Sequence, residues 1–232
     1  CNGTRLTGDV NVDDARNLED VMAYVDESLA DTNEATTCKD LNADGKINVV
    51  DAALSLECAL HQGQTTQPGH SHEPCDFPFN IHNQFDSVWL GIGEINATDR
   101  YVDILYRSPY GKMEGFEFKL KGVKIESSLS LVSHFSPTIF NTENELLALS
   151  YDETALDKTT TWEPFIRVFV SEFLTDTICI GSVEALVNEN LETMFLAGTE
   201  CNIGDVTSVS KVVKNQFYSS VIPNPFSEKA NF

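Results

Sequence analysis

Apolar positions divide the chain into two textures. Over roughly the first quarter they recur at three- and four-residue steps. Val21, Tyr24, Val25 and Leu29 make one stripe, and residues 52–60 make a broader one in which Ser55 and Glu57 are the only polar positions. That period predicts two amphipathic helices able to pack against each other and little else. From Phe77 onward the apolar runs are shorter, often alternating, and separated by turn residues. They predict strands at 87–91, 101–107, 115–125, 145–151, 165–173, 177–187 and 191–197, hence an all-β sandwich. Within 116–121, Phe116, Phe118 and Leu120 share one face and Glu117, Lys119 and Lys121 the other, as in a half-buried strand. Residues 62–84 carry Gln, Thr, Gly, Pro and His without apolar period and read as linker. The expected organisation is a small α domain at 1–61, a linker at 62–84, a sandwich at 85–204 and a β-prone tail at 205–232.

A twelve-residue loop leads into each predicted helix. Residues 40–51 put Asp40, Asn42, Asp44, Asn48 and Asp51 at loop positions 1, 3, 5, 9 and 12, with Gly45 at position 6. Calcium takes six to eight oxygen ligands, and alternate residues of a tightly wound loop can point at one ion. Gly45 permits the turn that brings the Lys46 carbonyl in as a further ligand. The pattern repeats 31 residues earlier: Asp9, Asn11, Asp13, Asn17 and Asp20 occupy the same positions, and the Ala15 carbonyl matches that of Lys46. Asp14 replaces the glycine; Asp is among the residues that tolerate a left-handed turn. Two Ca2+ ions are therefore expected, and without metal each trio of carboxylates should disorder its loop.

This duplicated D-x-N-x-D-(G)-x-x-N-x-x-D loop, each copy followed by one helix, resembles the dockerin family over residues of about 5–61. The resemblance implies two loop–helix (F-hand) calcium motifs in a non-catalytic plug that binds cohesin domains in extracellular assemblies. It would make Asp9, Asn11, Asp13 and Asp20 one calcium site and Asp40, Asn42, Asp44 and Asp51 the other, completed by the Ala15 and Lys46 carbonyls. In the family, loop positions 10 and 11 help choose the partner. Here they are Leu18-Glu19 and Val49-Val50, a different pair in each copy. A structural alternative is that calcium staples the helical module onto its own neighbour. The segments 90–94, 101–104 and 115–123 resemble cohesin-like and carbohydrate-binding-module-like sandwiches, including jelly rolls.

A net charge of −21 argues against nucleic acid and anionic membrane partners. No apolar run is long enough for a transmembrane helix. A chain beginning at Cys1 rather than Met reads as a mature product, or as a lipidated surface protein. The six cysteines form no C-x-x-C pair, so disulfides in an oxidising, extracellular or cell-surface setting are expected. Cys179 and Cys201 lie in and just beyond neighbouring strands and are expected to pair. The other four allow three connectivities. Given the dockerin resemblance, whose module ends lie close together, Cys1–Cys58 with Cys38–Cys75 is favoured. Asn2 and Asn96 head glycosylation sequons. The tail segment 223–227 (Pro-Asn-Pro-Phe-Ser) resembles the start of a type IX secretion sorting domain, or a Pro-rich turn ending a strand.

No G-x-S-x-G, H-E-x-x-H or phosphate-cradling glycine loop is present, so no enzyme is expected. His61, His70, His72 and His82 read as solvated residues in or near the linker, and His134 stands alone among serines. Asp152-Glu153 reads as a chance acidic pair. Trp89, Tyr101, Tyr106, Tyr110 and Trp162 could stack on a polysaccharide, although core packing is the commoner use. The leading expectation is a secreted calcium-binding assembly protein that associates with copies of itself head to tail into a filament or surface layer, the tail adding a strand to a neighbour's sheet. The alternative is a dockerin-bearing adhesin or carbohydrate-binding module docked on a separate cohesin-type scaffold.

Overall fold

The computed structural model describes residues 6–30, 36, 38–63, 73–78, 82–204 and 206, with the side chains of 82–85 left aside. Two helices, α1 (Leu18–Leu29) and α2 (Val49–His61), precede ten strands. Each helix starts directly after loop position 9, because Asn17 and Asn48 are N-caps. Their side-chain oxygens accept from Glu19 N and Val50 N, while Asp20 and Asp51 accept from the N-cap backbone. These reciprocal capping boxes satisfy N–H groups that a helix start leaves without partners. The twelfth loop residue is thus also the third residue of its helix.

The strands are β1 (His82–Asn96), β2 (Tyr101–Ser108), β3 (Met113–Lys121), β4 (Val123–Ser130), β5 (Thr138–Asn141), β6 (Glu145–Leu149), β7 (Thr159–Phe173), β8 (Thr177–Asn188), β9 (Thr193–Glu200) and β10 (Asn202–Ile203). They run in the order β4-β7-β2-β1-β9-β8-β3-β6-β5, with β10 paired to β8. All pairs are antiparallel except β1 with β9. The two halves of this path fold over one core, in which Phe116 stacks on Phe118 at 5.2 Å and meets Phe165 edge-on at 5.4 Å. The stretch 115–125, expected as one strand, is two that belong to different halves. At Gly122 φ is +94°, and a Cβ there would stand 2.5 Å from the Thr177 carbonyl oxygen. Only glycine turns the chain so tightly without strain. Strands β5 and β10, short and flanked by polar residues, escape the apolar pattern.

The sheet is covered on its outer side too. On β6, Leu146 and Ala148 enter the sandwich core, while Leu147 and Leu149 join a second cluster with Val21, Tyr24, Leu41, Val50 and Leu54 of the helical unit. On β8, Leu186 points inward and Ala185 and Val187 outward into that same cluster. The helices therefore do not pack only against each other. Helix α2, buried throughout Val49–Cys58, is wedged between α1 and the β8-β3-β6 face. That burial also corrects the reading of 116–121: Glu117 is 1% exposed because the helical unit sits on it.

Cys179 pairs with Cys201 as expected, but Cys58 pairs with Cys75, 17 residues on. The pairings Cys1–Cys58 and Cys38–Cys75 are therefore both excluded; Cys38 is disulfide-bonded as well. The physical reason lies in the expected linker, whose 73–78 portion folds back onto the helices. Phe77 packs on the helical cluster with the Arg16 guanidinium 5.7 Å from its ring centre, and Arg16 Nη1 donates to the Cys75 carbonyl. Cys1, Asn2, His70, His72 and the tail beyond 206 lie outside the described residues.

Candidate functional site

The twin loops fold alike. Positions 4 and 6 are left-handed in both: φ is 65° and 66° at Val12 and Asp14, and 58° and 86° at Ala43 and Gly45. Asp14 thus accepts the conformation that Gly45 adopts without a side chain. This winding turns backbone N–H groups inward. Asp9 Oδ1 accepts from Val12 N at 2.7 Å and Asp13 N at 3.1 Å, and its Oδ2 from Asp14 N. In the second loop Asp40 accepts from Asp44 N and Gly45 N. The closing aspartates tie each loop shut, Asp20 Oδ1 accepting from Val10 N and Asp51 Oδ1 from Leu41 N, both at 2.7 Å.

In the first loop the carboxylates converge. Asp9, Asp13 and Asp20 each bring a carboxylate oxygen within 4.8 Å of the other two. Asn11 and Asn42 lie beside Asp13 and Asp44, to which their amides donate. Asn17 and Asn48 are placed differently from the other loop residues, each spending its oxygen on the helix cap and turning its amide nitrogen toward Asp13 or Asp44. The Ala15 and Lys46 N–H groups donate to Asp13 and Asp44, which folds position 7 over position 5. Electrostatically the loops differ. The Ala15 N–H, helped by the Asn11 amide, holds the exposed Asp13 carboxyl below its usual range. Burial pushes Asp51 up to about 8, against the pull of the Asn48 and Leu41 N–H groups and with the Asp44 and Asp40 charges adding to the rise. An all-oxygen donor set with a buried carboxylate among like charges is the chemistry that a hard dication takes.

The two copies part company at positions 10 and 11. Val49 and Val50, at 0% and 1% exposure, are buried in the cluster shared with the sandwich, whereas Leu18 at 48%, Glu19 and Val12 are exposed; Met22 meets the sandwich, its sulfur accepting from the Tyr151 hydroxyl at 3.8 Å. At the centre of the seam Glu117 receives two donors from the helical unit: Ser28 Oγ at 2.5 Å on Oε1 and Val49 N at 2.7 Å on Oε2. A carboxylate at a helix N-terminus is favoured by the helix dipole. Burial nonetheless raises Glu117 to about 7; the Ser28 and Val49 hydrogen bonds oppose the rise, and Glu145 and Glu184 add to it. Sequence reasoning missed this residue because a Phe-Glu-Phe-Lys alternation looks the same whether its polar face meets water or another unit.

The remaining candidates are engaged within the sandwich. Arg107 lies over Trp89 at 4.3 Å and over Trp162 at 5.5 Å, and Arg167 lies over Tyr101 at 3.7 Å while forking Asp103. Tyr106 meets Phe165 edge-on in the core, and Tyr110 is exposed. Asn96 sits at the β1–β2 turn with its amide donating to Asp99. His134 is not alone, since its Nε2 lies 3.2 Å from Asp157. His61 is the last residue of α2 rather than a solvated linker residue, and faces Glu57 and Glu153. Its signal in the sequence was the one-turn spacing from Glu57.

No protein-family model matches the chain, and no curated protein matches its sequence. Among solved structures it is similar to cohesin modules. The seventh ScaB type I cohesin of Pseudobacteroides cellulosolvens aligns at 12% identity over 50% of this chain and 91% of its own, with a TM-score of 0.35. The non-cellulosomal cohesin of the archaeon Archaeoglobus fulgidus aligns at 6% identity over 55% and 97%, with a TM-score of 0.36. The sixth cohesin of Acetivibrio cellulolyticus scaffoldin B, solved in complex with a mutant Cel5 dockerin, aligns at 12% identity over 51% and 99%, with a TM-score of 0.35.

Proposed function

We propose that this chain is a secreted, non-enzymatic, calcium-binding docking protein whose helical plug is fastened to its own sandwich on one face and offers its other face to a separate cohesin-type partner. The observation that carries this is the inequality of the repeated faces: Val49-Val50 is buried on the chain's own sheet and Leu18-Glu19 is not. In the dockerin-like reading both pairs stand at partner-choosing positions. One is spent in cis, and Leu18 and Val12 are the exposed apolar residues that the first copy keeps. Calcium in the loops of Asp9–Asp20 and Asp40–Asp51 holds both helix starts. The units are 1–61 and 85–204, joined by 62–84, and the two disulfides support an oxidising, extracellular setting. Titration calorimetry against a panel of purified cohesin modules tests it. Calcium-dependent binding that Leu18→Asp abolishes supports the reading. Binding to no member, or binding indifferent to Leu18→Asp and chelator, overturns it.

The second reading is a head-to-tail filament, favoured by the seam itself. A plug seated on a sheet within one chain can be exchanged for a neighbour's, and such a heterologous contact propagates unless it closes into a ring. The tail 205–232 would add a strand to the neighbour's sheet. Negative-stain imaging with and without chelator decides between them: particles that stay monomeric at high concentration in calcium remove the filament.

A further inference from the structure

Away from the calcium loops, the C-terminal end of α2 meets the sandwich at a cleft lined by Glu57 and Glu153, with His61 beside both. Glu57 and His61 are one helical turn apart, so their side chains rise on the same face. Glu153 comes from the segment after β6 and is held at a φ of 56°, outside the usual range for a glutamate. His61 Nε2 lies 2.6 Å from Glu153 Oε1 and 3.7 Å from Glu57 Oε2. One donor atom of each residue lies within 4.8 Å of the other two. The Glu57 side chain is 6% exposed and that of His61 18%, so two of the three donors are largely withdrawn from water. Cys58, between them on α2, is bonded to Cys75, which fixes this end of the helix.

We infer that Glu57, His61 and Glu153 form a zinc site that pins the end of α2 to the sandwich. One imidazole nitrogen and two carboxylate oxygens are a donor set that zinc accepts, with bonds of about 2.0–2.2 Å and a fourth position open to water. Tetrahedral bonds of that length put donor atoms roughly 3.3 Å apart, between the two distances seen here. The imidazole separates this site from the loops, whose all-oxygen donors suit calcium. The helix is then held at both ends, by Glu117 at Val49 and by metal at His61. The site is independent of any partner at Leu18.

The test is titration of the full chain, saturated with calcium, with zinc, and with cobalt(II) as a spectroscopic probe. One equivalent of metal is expected, with the visible absorption of four-coordinate cobalt and a rise in Tm. His61→Gln should weaken binding by more than the roughly 10–100-fold that loss of an outer-shell partner costs. Glu153→Gln, on an exposed residue that the fold tolerates, should weaken it as well. His70→Gln/His72→Gln, which removes the other nearby histidines of the sequence, should leave it unchanged. Absence of zinc uptake by the wild type, meaning an imidazolium–carboxylate pair only, overturns the site. So does uptake that survives both His61→Gln and Glu153→Gln, or that His70→Gln/His72→Gln abolishes.

Discussion

The first loop–helix copy and the second share oxygen positions, left-handed turns, N-caps and capping boxes, and yet meet different surroundings. Helix α1 keeps an outer side, with Leu18 and Met22 exposed. Helix α2 is buried through Val49–Cys58. What differs is the residues after the cap. Leu-Glu at positions 10 and 11 leaves one charged group that has to reach water, whereas Val-Val does not, and Ala52 and Ala53 then let a second surface come close. A local pattern sets the local geometry, and which copy becomes a socket partner is decided by a few side chains outside that pattern.

The comparison breaks most directly if the equivalent positions are exchanged for charge. Val49→Asp places an unpaired carboxylate in the seam beside Glu117, and more than about 3 kcal/mol of stability should be lost. Leu18→Asp, on an exposed first turn where an acid is welcome, should stay within about 0.5 kcal/mol of wild type. Urea denaturation of the two variants measures both. Similar losses would mean that the copies are equivalent in solution and that the seam is not the stabilising contact.

Acidity sharpens the comparison, because Glu117 takes the backbone N–H that opens α2 but only the Ser28 side chain near the end of α1. Below about 4.5 the carboxyl is protonated whether the chain is folded or not. Between about 4.5 and about 7 the folded chain keeps a proton that the unfolded chain has lost. The folded state then binds more protons, so this group's contribution falls as pH rises through that window and is gone above it. The loss is on the order of 3–4 kcal/mol, from about 1.4 kcal/mol per pH unit. Glu117→Gln removes it. The difference in stability between wild type and Glu117→Gln, followed from pH 4 to pH 8 in saturating calcium, should therefore move in the variant's favour as pH rises. A constant difference would mean that Glu117 titrates normally and that the seam is open to water.

Calcium should separate the copies by a similar or smaller amount. Ligand at about a hundredfold over its dissociation constant stabilises a folded site by about 2.7 kcal/mol. Asp44 lies in the loop that ends in the buried Asp51 and feeds α2, so Asp44→Ala should forfeit most of that and loosen the seam. Asp13 lies exposed in the loop that feeds the freer helix, so Asp13→Ala should cost less. Calcium-dependent shifts in Tm for the two variants give the ranking, and the reverse order would detach the second loop from the seam.

Much of this was legible because it is local. The repeated Asp, Asn and Asp positions foretold a turn-rich loop before each of two helices, though each helix starts three residues earlier than expected, at Leu18 and Val49, and the strand texture foretold seven of the ten strands. What stayed hidden is long-range. Glu117 is polar in a strand pattern, and nothing within 116–121 says that Ser28 and Val49, far away in sequence, will cover it. The Cys58–Cys75 bond follows from Phe77 and Arg16 meeting across the expected linker. Glu153 reaches His61 over 92 residues. Strand β6 read simply as apolar because it is buried on both faces, and a run of that kind does not say what covers its outer side.

The smallest expected difference lies at position 6 of the loops, where the copies differ by one side chain on nearly the same backbone. Asp14 stands at a φ of 66° and Gly45 at 86°, and a Cβ built on Gly45 meets nothing within 4 Å. Space is therefore not the issue, and only backbone preference remains. Asp14→Gly should relieve a left-handed turn but make the unfolded chain looser, and Gly45→Asp should do the opposite. Each should change stability by less than about 1 kcal/mol, Gly45→Asp in the direction of loss. Paired thermal melts at saturating calcium, corrected for each variant's measured calcium affinity, isolate that difference. If Gly45→Asp instead costs several kcal/mol, the second loop is more tightly wound than the first, and the two copies differ in their loops as well as in what their helices meet.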